Sequence, residues 1–266
     1  MEGAPVRRAL WRGALLGLLV VGVLAAVSAA ARPRVHPRAT RHRPAPRLLR
    51  QPSAAHPLTL LEIGDSLGED LGMGLQAVLA GHRDVRLLAR AVGDTGLANV
   101  AYYNWPAVLE QDLRAYHPGL VVVFIGGNDA QGFDVGARPA FFGSSFWHQA
   151  YSARVATVLR EAHAAHAALL WVGMPIMGSP AFSRDMAMLN AIYASEVAHD
   201  PFARYLSTWR LFSNSAGAYA QYLPGPGGTL VEVRDSDGVH IAPSAGTDRV
   251  AAAVVRAINQ DFRVRI

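Results

Sequence analysis

The sequence contains no cysteine and no lysine. Without cysteine, the chain cannot form a disulfide bond, a zinc–thiolate site or a cysteine nucleophile. All 25 basic residues are therefore arginine, which we interpret as a bias of genomic composition rather than as chemistry. No nucleotide-binding fingerprint and no metal-ligand pattern stands out, so the sequence predicts neither a cofactor nor a metal ion.

Excess positive charge is also missing from most of the chain. Residues 1–50 hold ten arginines and one glutamate and contribute +9 to the net charge of +5, which leaves residues 51–266 with −4. The basic character belongs to the N-terminal segment, and the remainder is mildly acidic. This distribution disfavours a nucleic-acid surface on the folded part of the chain.

A long hydrophobic run lies near the N-terminus. Arg7, Arg8 and Arg12 precede Gly13–Ala31, which is 19 residues without a charge. A basic n-region followed by an apolar h-region is typical of an export signal, and the run is also long enough to cross a bilayer as a helix. We therefore expect residues 1–31 to be a signal peptide or an N-terminal membrane anchor. Both alternatives place the rest of the chain in the periplasm or elsewhere outside the cytoplasm. If the segment is a membrane anchor, residues 13–31 hold the protein in the inner membrane.

The remainder divides into a linker and one domain. Residues 32–56 are rich in arginine and proline, so we expect a disordered linker. From residue 57 to residue 266, short apolar runs alternate with helical patterns, which predicts an α/β domain with a parallel sheet between layers of helices. The expected strands cover residues 58–63, 85–91, 120–125, 169–173 and 203–207. The expected helices cover residues 70–80, 107–116, 147–165, 185–197 and 245–260, and residues 212–231 are expected to form a long surface loop.

Polar and glycine residues follow these strands where each strand ends. Ser66 follows the first strand, Gly93 the second and Asn128 the third, while Asp237 and His240 precede the last helix. The carboxyl ends of parallel strands lie at one edge of the sheet, where such folds bind their ligands. The sequence therefore predicts a site at this edge.

These residues include the groups that nucleophilic catalysis by serine requires. A serine hydroxyl needs a base to accept its proton, and a carboxylate that orients the base. His240 is the candidate base for Ser66, and Asp237 or Asp235 is the candidate partner of the histidine, because both lie within reach along the chain. The structural alternatives are that Ser66 caps a helix and that the Asp-Gly turn is an ordinary surface turn.

Acyl transfer also needs donors where negative charge develops on the carbonyl oxygen. The backbone N–H of Gly93, the side-chain amide of Asn128 and the backbone N–H of Ser66 are the candidates. The alternative for residues 126–129, Gly-Gly-Asn-Asp, is a tight turn after a strand.

Four patches in matching order resemble the conserved blocks of the SGNH (GDSL) hydrolase superfamily: residues 64–67 (Gly-Asp-Ser-Leu), Gly93, residues 126–129 and residues 237–240 (Asp-Gly-Val-His). The resemblance implies a flavodoxin-like three-layer α/β/α fold with a five-stranded parallel sheet, preceded here by the N-terminal hydrophobic helix and linker. It also implies that Ser66, Asp237 and His240 form a catalytic triad, and that Ser66, Gly93 and Asn128 form the oxyanion hole. Residues 64–68 fit the Gly-x-Ser-x-Gly elbow of α/β-hydrolases as well, but in that fold several strands precede the serine.

Finer features resemble a periplasmic bacterial branch of this superfamily, long catalogued as a domain of unknown function. They include residues 94–97, 104–106, 128–131, 171–175 and 188–190, together with Trp147, Tyr151, Arg154 and Arg234. Asn104 departs from the pattern, because an acid is expected before Trp105. The branch is associated with the addition or removal of O-acetyl groups on polysaccharides.

Three functions follow from these observations. The first is an extracytoplasmic esterase, and the second is an O-acetyltransferase that passes the acyl group to a sugar hydroxyl and works with a membrane acyltransferase partner. The third is a non-catalytic, anchored polysaccharide-binding subunit, which predicts an incomplete triad. Aromatic residues near the predicted edge form either a sugar platform or loop core: Tyr102, Tyr103, Trp105, Phe141, Phe142 and Trp147.

Overall fold

A computed structural model describes residues 49–266 of the chain. Within this range there are nine strands and five α-helices. The strands are β1 (Leu58–Gly64), β2 (Val85–Ala89), β3 (Leu120–Phe124), β4 (Phe133–Val135), β5 (Arg138–Ala140), β6 (Ala168–Val172), β7 (Ala203–Leu206), β8 (Tyr222–Pro224) and β9 (Leu230–Glu232). The helices are α1 (Ser66–Val78), α2 (Trp105–Tyr116), α3 (Ser145–Ala164), α4 (Pro180–Val197) and α5 (Ala245–Asp261).

Five strands form one parallel sheet in the order β2-β1-β3-β6-β7. Strands β3 and β6 are buried at every position and apolar throughout, as expected for strands that are covered on both faces. Strand β1 is buried at all but one position and is apolar except for Thr59 and Glu62. The direction of winding reverses between β1 and β3, which are neighbours in the sheet. A flavodoxin-like sheet binds its ligand at this reversal, beyond the carboxyl ends of the strands.

Helices cover both faces of the sheet. Helices α1 and α5 pack against each other on one face of the sheet. On the other face, α3 lies between α2 and α4 and contacts both. The side chains of Trp105, Trp147 and Trp171 are fully buried. The predicted three-layer fold is confirmed, and each predicted strand and helix of the sheet and its layers is present.

The structure differs from the sequence prediction in its smaller elements. Helix α1 begins at Ser66 rather than at residue 70, because Asp65 provides its N-cap by accepting the N–H of Leu67. Strands β4 and β5 form a hairpin that the sequence did not predict. The predicted loop at residues 212–231 contains β8, which pairs with β9.

The N-terminal region lies mostly outside the described residues, which include neither the predicted signal or anchor segment nor most of the predicted linker. The described part of the predicted linker makes contacts with the domain. The Gln51 side chain donates to the carbonyl of Arg265 at 2.9 Å and accepts its N–H at 3.1 Å, and Ser53 and His56 close a turn. Among residues 49–266, no helix is both long and apolar enough to span a membrane.

Candidate active site

Ser66 lies at the carboxyl end of β1, as the first residue of α1. The cap of the helix is Asp65, so the alternative role of Ser66 as the cap is wrong. The buried Asp65 carboxylate also accepts the N–H groups of Gly126 at 2.8 Å and Gly127 at 2.7 Å. Asp65 therefore joins the turn after β1 to the turn after β3. Burial raises the pKa of Asp65 to about 7, although these backbone N–H groups partly offset it.

The imidazole of His240 connects Ser66 to a carboxylate. Its Nε2 atom lies 2.9 Å from Ser66 Oγ, and its Nδ1 atom lies 2.5 Å from Asp237 Oδ2. Asp237 Oδ1 accepts the N–H groups of Val239 at 2.7 Å and His240 at 3.0 Å. Asp235 instead accepts from the backbone and hydroxyl of Ser236. The structure thus selects Asp237 over Asp235 as the partner of the histidine.

The hydrogen bond between His240 and Asp237 favours the charged form of both side chains. The hydrogen bond with Asp237 raises the pKa of His240 above its ordinary value, and partial burial opposes this rise. For Asp237, burial acts to raise the pKa, but hydrogen bonds from His240 and the backbone outweigh it and bring the pKa to about 2. The His240 and Asp237 side chains are 40% and 45% exposed, so this part of the site is open to solvent.

Two charged side chains hold the backbone on either side of His240. The fully buried Arg234 donates from Nε to the carbonyl of His240 at 3.1 Å and from Nη2 to the carbonyl of Val239, while its Nη1 donates to the carbonyl of Ile176. Asp70 accepts the N–H of Ile241 at 2.9 Å. Burial lowers the pKa of Arg234 to about 10, so the guanidinium stays protonated at neutral pH. The sequence singled out Arg234 only by resemblance, and it gave no signal for Asp70.

The two remaining candidate oxyanion donors are hydrogen-bonded within the protein. The backbone N–H of Gly93 donates to Oε1 of Glu69 at 3.0 Å. The side-chain amide of Asn128 donates one N–H to the carbonyl of Thr95 at 2.9 Å, and an amide carries two such protons. Both residues lie in loops at the carboxyl edge of the sheet, as expected. Their role as oxyanion donors stays a prediction.

A buried network fixes these two loops to each other. Asp129 accepts the N–H groups of Leu97 at 3.0 Å and Ala98 at 2.7 Å, and the hydroxyl of Tyr151 at 2.6 Å. Arg154 donates to the carbonyls of the same two loop residues, each at 2.6 Å. Burial raises the pKa of Asp129, and the hydrogen bond from Tyr151 counteracts it. Asp129, which follows Asn128 in the chain, therefore holds the loop that follows Gly93 against the turn that contains Asn128.

The six aromatic residues of the expected platform divide into three groups. Tyr103 and Phe142 are partly buried and pack against the core. Trp105 and Trp147 are fully buried, so they belong to the core. Tyr102 and Phe141 are 63% and 71% exposed. Asn104, which departs from the family pattern, caps α2 by accepting the N–H of Ala107 at 3.2 Å. An asparagine performs this role as well as an acid.

Among residues 49–266, no group of three or more histidine or acidic side chains is arranged to hold a metal ion. A serine hydroxyl in contact with an imidazole, itself oriented by a carboxylate, can attack an ester or a related acyl group.

Solved structures share this fold at low sequence identity. TesA is 22% identical, with a TM-score of 0.51 over 75% of this chain and 97% of that chain. A catalytic mutant of Axe2, an acetylxylan esterase from Geobacillus stearothermophilus, is 17% identical, with a TM-score of 0.54 over 78% of this chain and 96% of that chain. A putative acylhydrolase from Bacteroides fragilis is 17% identical, with a TM-score of 0.52 over 81% and 92%. These comparisons confirm the fold that the resemblance to SGNH hydrolases implied.

No curated protein matches the chain. The family described as "Protein of unknown function (DUF459)" matches residues 59–257. This range includes Ser66, Gly93, Asn128, Asp237 and His240, and it spans most of the described structure. The chain therefore belongs to the DUF459 family.

Proposed function

We propose that the protein is a serine esterase that cleaves its substrate through an acyl-Ser66 intermediate. The observation that carries the proposal is the continuous chain of contacts from Ser66 Oγ through the His240 imidazole to Asp237. Serine in such a chain is activated for nucleophilic attack. A non-catalytic binding subunit would have no need of this arrangement.

In the first half of the reaction, Ser66 Oγ attacks the carbonyl carbon of the ester, and its proton passes to Nε2 of His240. Asp237 stabilises the imidazolium that forms, because its carboxylate is hydrogen-bonded to Nδ1. The tetrahedral intermediate collapses when the carbon–oxygen bond to the alcohol breaks. The alcohol takes the proton from His240, and the acyl group stays on Ser66.

In the second half, a water molecule attacks the acyl carbon. His240 again accepts a proton and returns it to Ser66 Oγ as the acid leaves. The negative charge that develops on the carbonyl oxygen in both halves requires donors, for which we propose the N–H groups of Ser66 and Gly93 and the second amide proton of Asn128.

We propose O-acetyl groups of an envelope or secreted polysaccharide as the substrate. Axe2, which shares the fold, is an acetylxylan esterase, and this supports an acetylated carbohydrate as the substrate. The exposure of His240 and Asp237 supports this choice, because a polymer can reach an open site more easily than a closed pocket. The N-terminal sequence supports a location outside the cytoplasm.

An O-acetyltransferase remains the second candidate, since it uses the same acyl-Ser66 intermediate and differs only in the acceptor. A sugar hydroxyl then takes the place of the water molecule. The half-exposed triad supports this candidate too, because an acceptor glycan can approach as readily as water.

The test is acetate release from acetylated polysaccharides by the full-length protein and by its Ser66→Ala variant. We expect release by the wild type and a loss of about 10³-fold or more in the variant. His240→Ala should cause a similar loss, because members of a triad act as a unit. A Ser66→Ala variant that retains full activity excludes the proposal. Addition of an unacetylated glycan distinguishes the two candidates, since only a transferase moves acetyl groups onto it.

A further inference from the structure

Glu69 lies three residues after Ser66 in the first turn of α1, and its side chain is exposed. Its Oε1 atom accepts the N–H of Gly93, a candidate oxyanion donor, at 3.0 Å. A methyl group on Gly93 would have the Glu69 carboxylate as its three nearest atoms, the first at 3.1 Å. The space directly above this glycine is therefore occupied by the carboxylate.

A carboxylate on this N–H resembles the oxyanion of acyl transfer, because both place a negatively charged oxygen against the same donor. Hydrogen bonds to charged acceptors are about twice as strong as those between neutral groups. The carbonyl oxygen of an ester is neutral when the substrate binds, so it competes poorly for this donor. A substrate that uses the Gly93 N–H must therefore displace Glu69.

Other exposed carboxylates lie on the loops at this edge of the sheet. Asp94 follows Gly93, and Asp235 and Asp237 lie in the loop that carries His240. Arg234 does not offset them at the surface, because it is buried and donates to backbone carbonyls. Repulsion between two like charges increases as the distance between them decreases, so these carboxylates disfavour the binding of an anionic substrate. A Glu69 side chain displaced from Gly93 is still attached to the first turn of α1, three residues after Ser66.

We propose that Glu69 is a specificity-determining residue, which competes for the Gly93 N–H and selects neutral or cationic acylated glycans over anionic ones. This inference rests on the proposed function, because it concerns which esters reach Ser66. It adds a substrate class that the triad alone does not define, since polysaccharides rich in uronic acids carry a negative charge on every such sugar.

The kinetic test uses two aryl acetates of equal size, 4-acetoxybenzamide and 4-acetoxybenzoate, which differ by one negative charge. The full-length wild type is compared with Glu69→Gln and with Glu110→Gln as a charge-matched control, because Glu110 is exposed on α2 and paired with Arg114. We expect the wild type to prefer the amide in kcat/KM, and Glu69→Gln to reduce this preference by about threefold or more. Glu110→Gln should leave it unchanged. An equal preference in the wild type and in Glu69→Gln overturns the proposal.

A second measurement does not depend on turnover. In protein labelled with ¹⁵N-glycine, the amide resonance of Gly93, assigned by its loss in Gly93→Ala, reports the hydrogen bond to Glu69. We expect Glu69→Gln to shift this resonance and Glu110→Gln to leave it in place. An unshifted resonance overturns the inference even when Ser66→Ala abolishes hydrolysis. A shifted resonance in a protein whose Ser66→Ala variant is fully active supports the contact with Glu69 while excluding the proposed esterase.

Discussion

The Nε2 atom of His240 lies 2.9 Å from the hydroxyl oxygen of Ser66, although 174 positions separate the two residues in the chain. Ser66 follows the first strand of the sheet, and His240 precedes the last helix. Helix α1, which begins at Ser66, and helix α5, which follows His240, pack against each other on one face of the sheet. The contact between the hydroxyl and the imidazole is therefore a direct consequence of the winding of the chain.

The choice between the two aspartates near His240 gives the first prediction. Asp237→Asn removes the carboxylate that accepts from Nδ1, so the imidazole loses both its orientation and the stabilisation of its charged form. We expect kcat/KM for an acetyl ester to fall by about 10³–10⁴-fold. Asp235→Asn is the matched control, because Asp235 bonds only to Ser236 through its side chain, and its activity should stay near that of the wild type. Similar losses in both variants would show that the assignment is wrong.

The raised pKa of His240 gives the second prediction, which concerns pH. A general base works only in its neutral form, so kcat/KM should rise with pH through a midpoint above the ordinary histidine value of 6.5. The charged groups that face His240 and raise its pKa are Asp237, Asp70 and Asp235. Asp70→Asn keeps an oxygen for the N–H of Ile241 but removes one of these charges. Its midpoint should therefore move to lower pH, and an unmoved midpoint in the pH profile would contradict the assignment.

Much of this site follows from the sequence for a physical reason. Strands β3 and β6 are apolar throughout and β1 is mostly apolar, because both of their faces are buried. This pattern locates the carboxyl edge on which Ser66 and Asn128 lie. The smaller hairpins were not predicted because β4, β5, β8 and β9 have three residues each and are largely exposed. So short a run carries too little periodicity to identify a strand.

The contacts between loops could not be predicted in the same way. Asp235 and Asp237 are equally plausible along the chain, and only the folded turn shows which carboxylate meets the imidazole. Glu69 reaches Gly93 because the loop after β2 lies over the first turn of α1. The sequence indicates neither that approach nor the burial of Asp129 between two loops.

Arg234 gives the third prediction. Its guanidinium donates to the carbonyls of Ile176, Val239 and His240, and a lysine has neither the planar shape nor the number of donors to replace it. Arg234→Lys should lower kcat by about tenfold or more, with a smaller change in KM, because His240 is no longer held in place. Each buried carbonyl that loses its donor costs about 1–3 kcal/mol of unfolding free energy.

The control for Arg234→Lys is Arg249→Lys, since Arg249 donates to the carbonyl of Pro224 outside the site. Urea denaturation and steady-state kinetics measure the two effects. A variant at position 234 that matches the control in both stability and kcat would show that the buried guanidinium does not position His240.

Glu62 gives the fourth prediction. Among residues 49–266, neither of its buried carboxylate oxygens has a partner in hydrogen-bonding geometry, and both lie between β1 and glycines of α1. Burial raises its pKa well above the ordinary value of 4.5, which the nearby backbone N–H groups of Arg90 and Ala91 only partly offset. The pKa of Glu62 is therefore higher in the folded chain than in the unfolded chain. The contribution of Glu62 to the unfolding free energy is fully present below pH 4.5 and is lost as the pH rises toward the folded pKa.

Glu62→Gln removes this loss because an amide does not ionise. Between pH 5 and pH 8, the unfolding free energy of the variant relative to the wild type should therefore increase. The increase is about 1.4 kcal/mol for each pH unit over which Glu62 is protonated in the folded chain but ionised in the unfolded chain. Urea denaturation at both pH values measures the difference. A difference that is independent of pH would contradict the account of a buried, protonated Glu62.

The central claim is that Ser66 carries the acyl group, and mass spectrometry of the trapped intermediate tests it most directly. The full-length protein is mixed with an activated acetyl ester, quenched in acid within the first turnovers and digested for peptide mapping. We predict one acetyl group per chain, located on Ser66, and no such group on this peptide in Ser66→Ala or His240→Ala. An acetyl group on another residue, or acetate release by Ser66→Ala at the wild-type rate, would contradict the account.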